Sequence, residues 1–235
     1  MITRHTKRGN MRAPISVIIP TLNSAAQLPS CLGALMEGLD AGLIRELIVS
    51  DGGSEDATGA TAQAWGAVVL HGEPSRGGQL RRACATAKAD WMLVLHADTV
   101  LQPGWAKAVG EHLGEPDKAA WFQLRFDQTG AAARLVAAWA NLRSRFGLPY
   151  GDQGLLISSA LYARAGGYPD VPLMEDVAIV RALKGKLKGL PVVAVTSAEK
   201  YARQGWIRRG ARNLWTLARY FAGVDTSTLA ASYRR

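Results

Sequence analysis

Short apolar runs alternate with longer amphipathic segments along residues 14–100. ISVIIP is followed by AAQLPSCLGALMEGL, where apolar side chains recur at helical spacing from Leu28 to Leu39. RELIVSDGGS, AVVLHG and WMLVLHAD repeat the strand pattern, with the helical segments SEDATGATAQAWG and SRGGQLRRACATAKA between them. Ser54 is the predicted N-cap of the first of these two helices. The alternation predicts an α/β fold, with a mostly parallel central sheet and helices on both faces.

The pattern is less regular beyond Asp98. KAAWFQLRFD, DQGLLIS and LPVVAVT predict further strands, and EDVAIVRALKGK predicts a helix between the last two. AAARLVAAWANLRSRF predicts a helix with Leu135, Ala138, Leu142 and Phe146 along one face. Because neither a repeat nor a linker is evident, we expect a single domain with an elaborated second half.

The segment GWIRRGARNLWTLARYFAG predicts an amphipathic C-terminal helix. Its apolar face carries Ile207, Ala211, Leu214, Ala218 and Phe221. Stripes of this kind commonly pack on their own domain, which is the interpretation that we favour. The alternative is that the helix lies on an anionic membrane surface, as basic amphipathic helices with Trp and Phe do. The other faces carry Arg208, Arg209, Arg212 and Arg219.

The composition is that of an ordinary globular protein, with 48% hydrophobic and 20% charged residues. No apolar run approaches the roughly 18 residues that a membrane span needs. Cys31 and Cys84 have no metal-binding spacing, so we expect buried thiols in a reducing compartment. The net charge of +9 suits nucleic acid, an anionic membrane surface or a phosphorylated substrate, or serves solubility alone.

Polar groups follow each of the first four predicted strands, in PTLNS, DGGS, HGE and HAD. In a parallel sheet, ligands bind beyond the carboxyl ends of the strands, so these groups line one edge. Singly each is a weak signal, because a pair such as Asp51-Gly52 is commonly just a turn. The glycine-rich dinucleotide fingerprint and the phosphate loop are both missing. A nucleotide at this edge would therefore be held by carboxylates and a metal ion.

Together the motifs SVIIPTLN, ELIVSDGGSEDAT, LVLHADT and MEDVAIVRAL resemble the family 2 glycosyltransferases of the GT-A fold. With RSRFGLPYGDQGLLIS and PLMEDV, the chain is more closely similar to the subfamily called radical-SAM/selenodomain-associated transferase 2. The resemblance covers Ile15 to Tyr201, most of the chain. It implies the GT-A fold, a nucleotide-diphosphate-sugar donor, and transfer to a hydroxyl acceptor with inversion at the anomeric carbon.

The resemblance assigns the donor site to the strand ends. It implies that Pro20, Thr21 and Asn23 form the floor under the nucleoside, and that Asp51 contacts the base. Arg76, in SRGGQ, is placed on the same grounds near the nucleotide and its phosphates.

The segment HAD occupies the position of the family's Asp-x-Asp motif. The resemblance implies that Asp98 ligates Mg²⁺ or Mn²⁺ bound to the diphosphate, and that Ala97 lies beside the donor. A divalent cation stabilises, as a Lewis acid, the charge that builds on the leaving diphosphate. His96 replaces the first aspartate of the motif. It is either a second metal ligand, since imidazole binds Mn²⁺, or a strand-end histidine with satisfied hydrogen bonds.

The attacking hydroxyl must lose a proton, so a carboxylate is required on the opposite face of the sugar. Glu175 and Asp176, at the start of a predicted helix, suit that role. Their alternative role is to stabilise the first helical turn through the helix dipole. Given the acidic strand ends at Asp51 and Asp98, we favour function. Asp176 is then the catalytic base, and Glu175 orients the acceptor or the base.

Two later segments also bear on the site. In YGDQG, Asp152 and Gln153 are available for hydrogen bonds to sugar hydroxyls, or simply belong to a polar turn. In YARQGW, Arg203 and Trp206 resemble the segment that closes over the diphosphate in related transferases, with Tyr201 as the alternative aromatic residue. An arginine suits phosphates because its guanidinium forms paired hydrogen bonds.

The expected partners are the nucleotide-diphosphate sugar and an acceptor that is either lipid-linked or a small molecule, and no nucleic acid is expected. We expect a cytoplasmic protein, with peripheral contact to the inner face of an anionic membrane as the alternative. The expected boundaries are a flexible basic leader (1–13) and a single domain (14–235), divided into a nucleotide-binding half (14–100), an acceptor and catalytic half (101–203), and a C-terminal basic amphipathic helix and tail (204–235).

Three rival interpretations explain part of the pattern, and the first of them is disfavoured. A nucleotidyltransferase that makes nucleotide sugars shares the sheet architecture, but IIPTLNSAAQL lacks its glycine-rich signature. A basic protein that binds nucleic acid or an acidic polymer explains the charge but not the acidic strand ends, which would repel phosphates. A catalytically degenerate transferase, which binds the donor without turnover, is suggested by His96 in place of the usual aspartate.

Overall fold

The strands of the described chain form one continuous sheet. The computed structural model describes residues 12–234, so residues 1–11 of the expected leader lie outside the described residues. Within 12–234 the sheet has eight strands. In chain order these are β1 (Ile15–Thr21), β2 (Ile44–Asp51), β3 (Val68–His71), β4 (Trp91–Val94), β5 (Thr99–Leu101), β6 (Ala119–Phe126), β7 (Leu155–Ser158) and β8 (Leu187–Thr196).

The sheet has a parallel part and a mixed part, in the order β3-β2-β1-β4-β7-β6-β8-β5. The strands β3, β2, β1 and β4 are parallel neighbours, as predicted. The strand β7 is antiparallel to both β4 and β6, and β8 is parallel to β6. Consequently β6 and β8 run in the same direction as the first four strands. The carboxyl ends of six strands therefore meet at one edge of the sheet.

Helices cover both faces of the sheet, as the alternating pattern predicts. In chain order the described helices are α1 (Leu28–Asp40), α2 (Thr58–Ala64), α3 (Arg76–Thr86), α4 (Trp105–His112), α5 (Ala131–Arg145), α6 (Ser159–Arg164), α7 (Glu175–Ala182), α8 (Glu199–Gln204), α9 (Trp206–Phe221) and α10 (Thr226–Arg234). On one face α1, α2 and α4 bury side chains such as Leu32 and Trp105. On the other face α3, α6 and α7 bury Leu80, Leu161 and Ile179.

The start of α2 differs from the prediction. The helix begins at Thr58, and Ser54 is not its N-cap. The Ser54 hydroxyl instead donates to Asp51 at 2.5 Å and accepts from the Asn23 N–H at 2.8 Å. The Asp56 carboxylate accepts from the Thr58 N–H, at 3.0 Å. Ser54 therefore belongs to the loop after β2, because the buried Asp51 carboxylate competes for its hydroxyl.

The predicted apolar faces of α5 and α9 are exposed rather than packed. On α5 the buried side is made of small residues such as Ala137, which let the helix lie close to β6, while Leu135 and Phe146 are exposed. On α9 the buried side includes Leu217, while Ile207 is 88% exposed. The favoured interpretation, in which the α9 stripe packs on its own domain, is therefore wrong. None of the helices between residues 12 and 234 is long and apolar enough to cross a membrane.

Candidate active site

A cleft opens at the edge where the parallel strands end. Its outer compartment, of about 520 Å³, lies between the residues after β1 and the start of α3. Its inner compartment, of about 150 Å³, lies at the start of α7. Arg76, His96 and Asp98 line both compartments and therefore mark their junction. The outer volume is within the range of small-molecule sites, so the cleft is large enough for a nucleotide.

Hydrogen bonds within the protein fix the wall of the outer compartment. Gln79, on the buried side of α3, donates from Nε2 to the carbonyls of Thr21 and Ser50, at 2.7 and 2.8 Å. Asn23 has a left-handed backbone (φ 49°), and its side-chain oxygen accepts from the Glu55 N–H at 2.9 Å. The wall is therefore preformed, which lowers the entropy lost on ligand binding. Its predicted residues Pro20, Thr21, Asn23 and Ala97 all line the compartment.

Asp51 lies behind this wall and is 2% exposed. Its Oδ1 accepts from the hydroxyls of Thr21 and Ser54, and its Oδ2 accepts from the N–H groups of Gly53 and Ser54. Burial opposes the charge, but these hydrogen bonds, led by those of Ser54, lower the pKa of Asp51. Asp51 is not one of the described residues that line the cleft. This geometry favours a positioning role for Asp51, and its contact with a base stays a prediction.

His96 and Asp98 lie in the turn between β4 and β5, where the compartments meet. The His96 ring packs against the backbone of Gly151, where any side chain would collide with Nε2. Burial lowers the pKa of His96 well below its ordinary value, and the charges of Arg76 and Lys200 add to this effect. The imidazole is therefore neutral at physiological pH and has one nitrogen available as an acceptor or a metal ligand.

Glu175 and Asp176 form the first turn of α7 and line the inner compartment. Met174, directly before them, has a left-handed backbone (φ 68°), which is uncommon for a residue other than glycine. Such strained positions cluster at functional sites. The Asp176 Oδ2 accepts from the Gly151 N–H at 2.9 Å, and its Oδ1 accepts from the Val177 N–H at 2.7 Å. Asp176 is therefore held in place by backbone groups and still faces the compartment.

Glu175 is 1% exposed, and neither of its oxygens accepts a hydrogen bond within the described chain. Its ion-pair partner is Arg76, whose Nε lies 3.6 Å from Oε1. Burial, followed by the charge of Asp176, raises the pKa of Glu175 to about 7, although Arg76 opposes this shift. Partial burial disfavours the charge on Arg76, but the carboxylates of Glu175, Asp176 and Asp98 outweigh it and raise the pKa of Arg76. A carboxyl group that titrates near neutral pH is typical of a functional site.

The loop YGDQG contributes Tyr150 and Asp152 to the inner compartment, but not Gln153. Gln153 is fully buried; its side chain accepts from the Ser144 hydroxyl at 2.5 Å and donates to the Phe122 carbonyl at 3.2 Å. The expectation that Gln153 reaches a sugar hydroxyl is therefore corrected. Its amide instead anchors the loop that presents Asp152.

Asp152 is a second carboxyl group with a raised pKa in the inner compartment. Burial raises its pKa to about 6, with Arg143 opposing the shift and Asp176 adding to it. Its Oδ1 is buried and has no hydrogen-bond partner among the described residues. The inner compartment thus gathers four carboxyl groups: those of Asp152, Glu175 and Asp176, and that of Asp98 at the junction with the outer compartment.

Helix α8 and the start of α9 supply a basic wall for the cleft. Lys200 and Arg209 line both compartments, whereas Arg203, the predicted phosphate ligand, is exposed and lines neither. Trp206 packs edge-on against Phe126, with ring centroids 5.1 Å apart, and is also absent from the lining residues of the described chain. Tyr201, the alternative aromatic residue, does line the inner compartment.

The lining residues that were not predicted from the sequence include the polar residues Lys200, Arg209, Asn213 and Tyr233. Arg209 donates to the Tyr233 hydroxyl at 3.1 Å, and that hydroxyl donates to the Asn213 side chain at 2.9 Å. Arg209 and Asn213 are four residues apart, so the sequence already places them on the same polar side of α9. Lys200 and Tyr233 carry no comparable local signal, because tertiary packing alone brings them to the cleft.

The donor set suits a divalent cation that is shared with a ligand. Asp98 offers a carboxylate, and His96 offers a neutral imidazole; both are suitable ligands for Mn²⁺. Within residues 12–234 there is no group of three His, Cys, Asp or Glu side chains that could hold a metal by itself. These residues therefore fit an ion whose remaining ligands come from a bound substrate or water.

The fold of the chain is that of the GT-A glycosyltransferases. It superposes with a TM-score of 0.57 on glucosyl-3-phosphoglycerate synthase from Mycobacterium tuberculosis, solved with Mn²⁺, UDP-glucose and phosphoglyceric acid. That match has 24% identity and covers 79% of this chain and 70% of the synthase, so it supports the fold. A sequence profile described as "Glycosyl transferase family 2" matches residues 16–156. The chain therefore belongs to glycosyl transferase family 2, and the predicted family and fold are confirmed.

Curated relatives agree with this family over part of the chain. A TPR repeat-containing protein of Synechococcus elongatus is 33% identical over 162 residues, which is 66% of this chain and 38% of the relative. A PGL/p-HBAD biosynthesis glycosyltransferase of Mycobacterium bovis is 34% identical over 115 residues, or 43% of this chain and 44% of the relative. These matches thus span less than half the length of either relative.

Proposed function

We propose that the protein is an inverting, divalent-metal-dependent glycosyltransferase that moves a sugar from a nucleotide-diphosphate donor to a hydroxyl acceptor. One observation carries the proposal: Arg76, His96 and Asp98 line both compartments of the cleft. The outer compartment then holds the nucleoside, the junction holds the diphosphate, and the inner compartment holds the sugar and acceptor. Family membership supports the activity, and the mycobacterial synthase of similar fold was solved with Mn²⁺ and UDP-glucose.

The donor is bound by a preformed frame and a group of cations. Pro20, Thr21 and Asn23 lie under the nucleoside, on the hydrogen-bonded wall after β1. Arg76 and Lys200 line the junction and offset the charge of the diphosphate, both in the ground state and as it leaves. Arg209 provides a third cation from α9. Arg203 is exposed and lines neither compartment, so we assign it no role in donor binding.

The proposed metal ligands are Asp98 and His96. A divalent cation supplies Lewis-acid stabilisation of the leaving diphosphate when it is bound. A neutral His96 does not compete electrostatically with such a cation, and Asp98 offsets part of its charge. Either Mg²⁺ or Mn²⁺ suits the carboxylate, and the imidazole favours Mn²⁺.

Asp176 is the proposed general base. As the acceptor oxygen forms its bond to the anomeric carbon, its proton passes to the Asp176 carboxylate, and the carbon–oxygen bond to the diphosphate breaks with both electrons leaving on the phosphate oxygen. A single displacement of this kind inverts the anomeric carbon. Two backbone N–H groups hold Asp176, so its orientation does not depend on the substrate. Glu175, which is buried next to Arg76, orients Arg76 and the acceptor.

Three segments of the chain divide this work. Residues 14–100 bind the nucleotide, and residues 101–203 supply the acceptor side of the cleft. Residues 204–235 add a basic wall through Arg209, and their tyrosine Tyr233 supports it by a hydrogen bond.

The proposal is tested by incubating the protein with UDP-, GDP-, CDP- and TDP-sugars and Mn²⁺, with water as the acceptor, and measuring the nucleoside diphosphate released. Proton NMR of the free sugar before mutarotation reports the anomer. We expect release from one nucleotide class, with the anomer opposite to that of the donor, and loss of release on chelation of the metal.

Asp117→Asn is the matched control for Asp176→Asn, the variant that removes the proposed base, because Asp117 is a surface carboxylate whose side chain is 81% exposed. Binding of a donor without release of the diphosphate, under conditions where Asp117→Asn and the wild type are both folded, would favour the degenerate transferase. Failure of every donor to bind would overturn the proposal.

A further inference from the structure

Helices α5 and α9 expose large apolar side chains instead of packing them. On α5, Leu135 is 72% and Phe146 80% exposed; on α9, Ile207 is 88% and Trp215 65% exposed. Scattered apolar residues are normal on a protein surface, but a contiguous group marks an interaction site. The α5–α9 surface comprises Leu135, Trp139, Leu142, Phe146, Ile207, Leu214, Trp215 and Phe221.

These side chains belong to one surface, because α5 and α9 lie side by side. Near their N-termini, Trp206 of α9 packs in the same apolar cluster as Ala133 and Ala137 of α5. Near their C-termini, Phe146 and Phe221 line one common cleft. The helices therefore run in the same direction, and their exposed stripes meet at Phe146 and Phe221.

The charge around this surface is entirely positive within the two helices. The sequences AAARLVAAWANLRSR and WIRRGARNLWTLARYF contain seven arginines and no aspartate or glutamate. Arg209 faces the active-site cleft and is not part of this surface. The cleft between Phe146 and Phe221 is lined by the cations of Arg145, Arg181 and Lys184 and by no described carboxylate. The guanidinium of Arg181 lies over the Phe221 ring, 5.2 Å from its centroid. An apolar stripe bordered by arginine is complementary to an anionic lipid surface.

We infer that the α5–α9 surface docks on an anionic lipid bilayer, with its apolar side chains at the acyl boundary and the flanking cations among the headgroup phosphates. Since none of the described helices can cross a membrane, the contact is peripheral. A long arginine side chain beside an apolar stripe reaches phosphates while its stem stays in apolar contact. The opposite side of α9 carries Arg209 and Asn213 into the cleft, so one helix links the bilayer to the site.

The test is co-sedimentation of the full-length protein with vesicles of phosphatidylglycerol and phosphatidylcholine, compared with vesicles of phosphatidylcholine alone. We expect binding to the anionic vesicles that weakens at high salt. The double variant Phe146→Ser/Ile207→Ser should lose at least about tenfold in affinity, because two large side chains no longer leave water. Trp65→Ser is the matched control, since Trp65 is 41% exposed and lies next to α1 and β2, away from α5 and α9.

A second variant separates docking from folding. Trp139→Phe/Trp215→Phe keeps the surface apolar, so it should bind as the wild type does but lose most of the fluorescence quenching by brominated lipid. Absence of binding to anionic vesicles, or equal loss in Trp65→Ser, would overturn the inference. So would a dimer in solution that Phe146→Ser/Ile207→Ser dissociates, because a second copy would then cover the surface. Donor binding by the double variant is expected to be unchanged, which keeps this test independent of the proposed activity.

Discussion

The two compartments of the cleft are built in opposite ways. In the wall of the outer compartment and directly behind it, the polar groups are paired within the protein: Gln79 donates to two carbonyls, and each oxygen of the buried Asp51 accepts two hydrogen bonds. In the inner compartment both oxygens of Glu175 and one oxygen of Asp152 have no hydrogen-bond partner within the described chain. Buried polar groups are nearly always paired in folded proteins, so the exceptions need a cause.

The outer compartment is therefore a rigid frame that binds a ligand, and the inner compartment is where unpaired carboxyl groups are available for the reaction. Paired groups stabilise the fold and hold a ligand without rearrangement, whereas an unpaired buried carboxyl group destabilises the fold until a ligand or proton satisfies it. Substitutions in the two compartments should therefore act in opposite directions. Outer changes should lower stability, and inner changes should lower turnover while sparing or raising stability.

The largest effect is expected for Asp176→Asn, which removes the proposed base but keeps an oxygen to accept from Gly151. Turnover of the donor should fall about 10²–10⁴-fold, the usual contribution of a general base. Nucleotide binding and the melting temperature should hardly change. Steady-state kinetics and thermal unfolding measure both. If turnover survives, Asp176 is not the base and the inner compartment works differently.

Gln79→Ala tests the frame. It removes the side-chain donor from the buried carbonyls of Thr21 and Ser50, although the Thr21 carbonyl still accepts from the Gly52 N–H. The free energy of unfolding should therefore drop by about 1–3 kcal/mol. Urea denaturation measures this change. Gln63→Ala is the control, since Gln63 is exposed on α2. A drop of similar size in the control would mean that the two hydrogen bonds are not responsible.

Glu175→Gln tests the opposite sign. Burial raises the pKa of Glu175 from 4.5 to about 7, so the folded state binds its proton more tightly than the unfolded state. The stability contributed by this group is complete below about pH 4.5 and is lost as the pH rises through about 7. At about pH 8 the variant should exceed the wild type by roughly 2 kcal/mol, with no difference at about pH 4. Thermal unfolding at several pH values measures the difference in stability. A Glu175→Gln variant that is less stable than the wild type at high pH would contradict an unpaired, destabilising Glu175 carboxylate.

The smallest effect concerns the junction between the compartments. Lys200→Ala should weaken binding of the nucleoside diphosphate about tenfold, because a charge-assisted contact to a phosphate is lost. Arg203→Ala, three residues later on the same helix, should leave binding unchanged, since Arg203 lines neither compartment. Isothermal titration calorimetry compares the two. Equal losses would show that general electrostatic attraction, and not position, explains the effect.

The regular half of the molecule could be predicted from its sequence far better than the second half. The alternation of β1 to β4 with α1 to α3 follows from local periodicity, and the strand ends locate His96 and Asp98 at one edge. The position of Asp51 could not be read from the chain, because a carboxylate at a strand end looks the same whether it faces the cleft or its own loop.

The exposed stripe of α9 shows a related limit. Its periodicity predicts an apolar face, but periodicity does not say what that face contacts. Likewise Lys200 and Arg203 lie on one short helix, and only the packing of α8 against the cleft decides which of the two lines it. Residues placed by tertiary packing alone therefore lay beyond sequence reasoning.

The role of a metal ion at the junction of the two compartments is tested by calorimetric titration of UDP, GDP, CDP and TDP, each with and without Mn²⁺, into the wild type and Asp98→Ala. We expect that one nucleotide binds and that Mn²⁺ strengthens this binding by about tenfold or more. Asp98→Ala should abolish the strengthening, while Asp117→Ala should retain it. Binding that is indifferent to Mn²⁺ in the wild type, or that is still strengthened by Mn²⁺ in Asp98→Ala, would contradict a metal-bridged diphosphate at the junction of the two compartments.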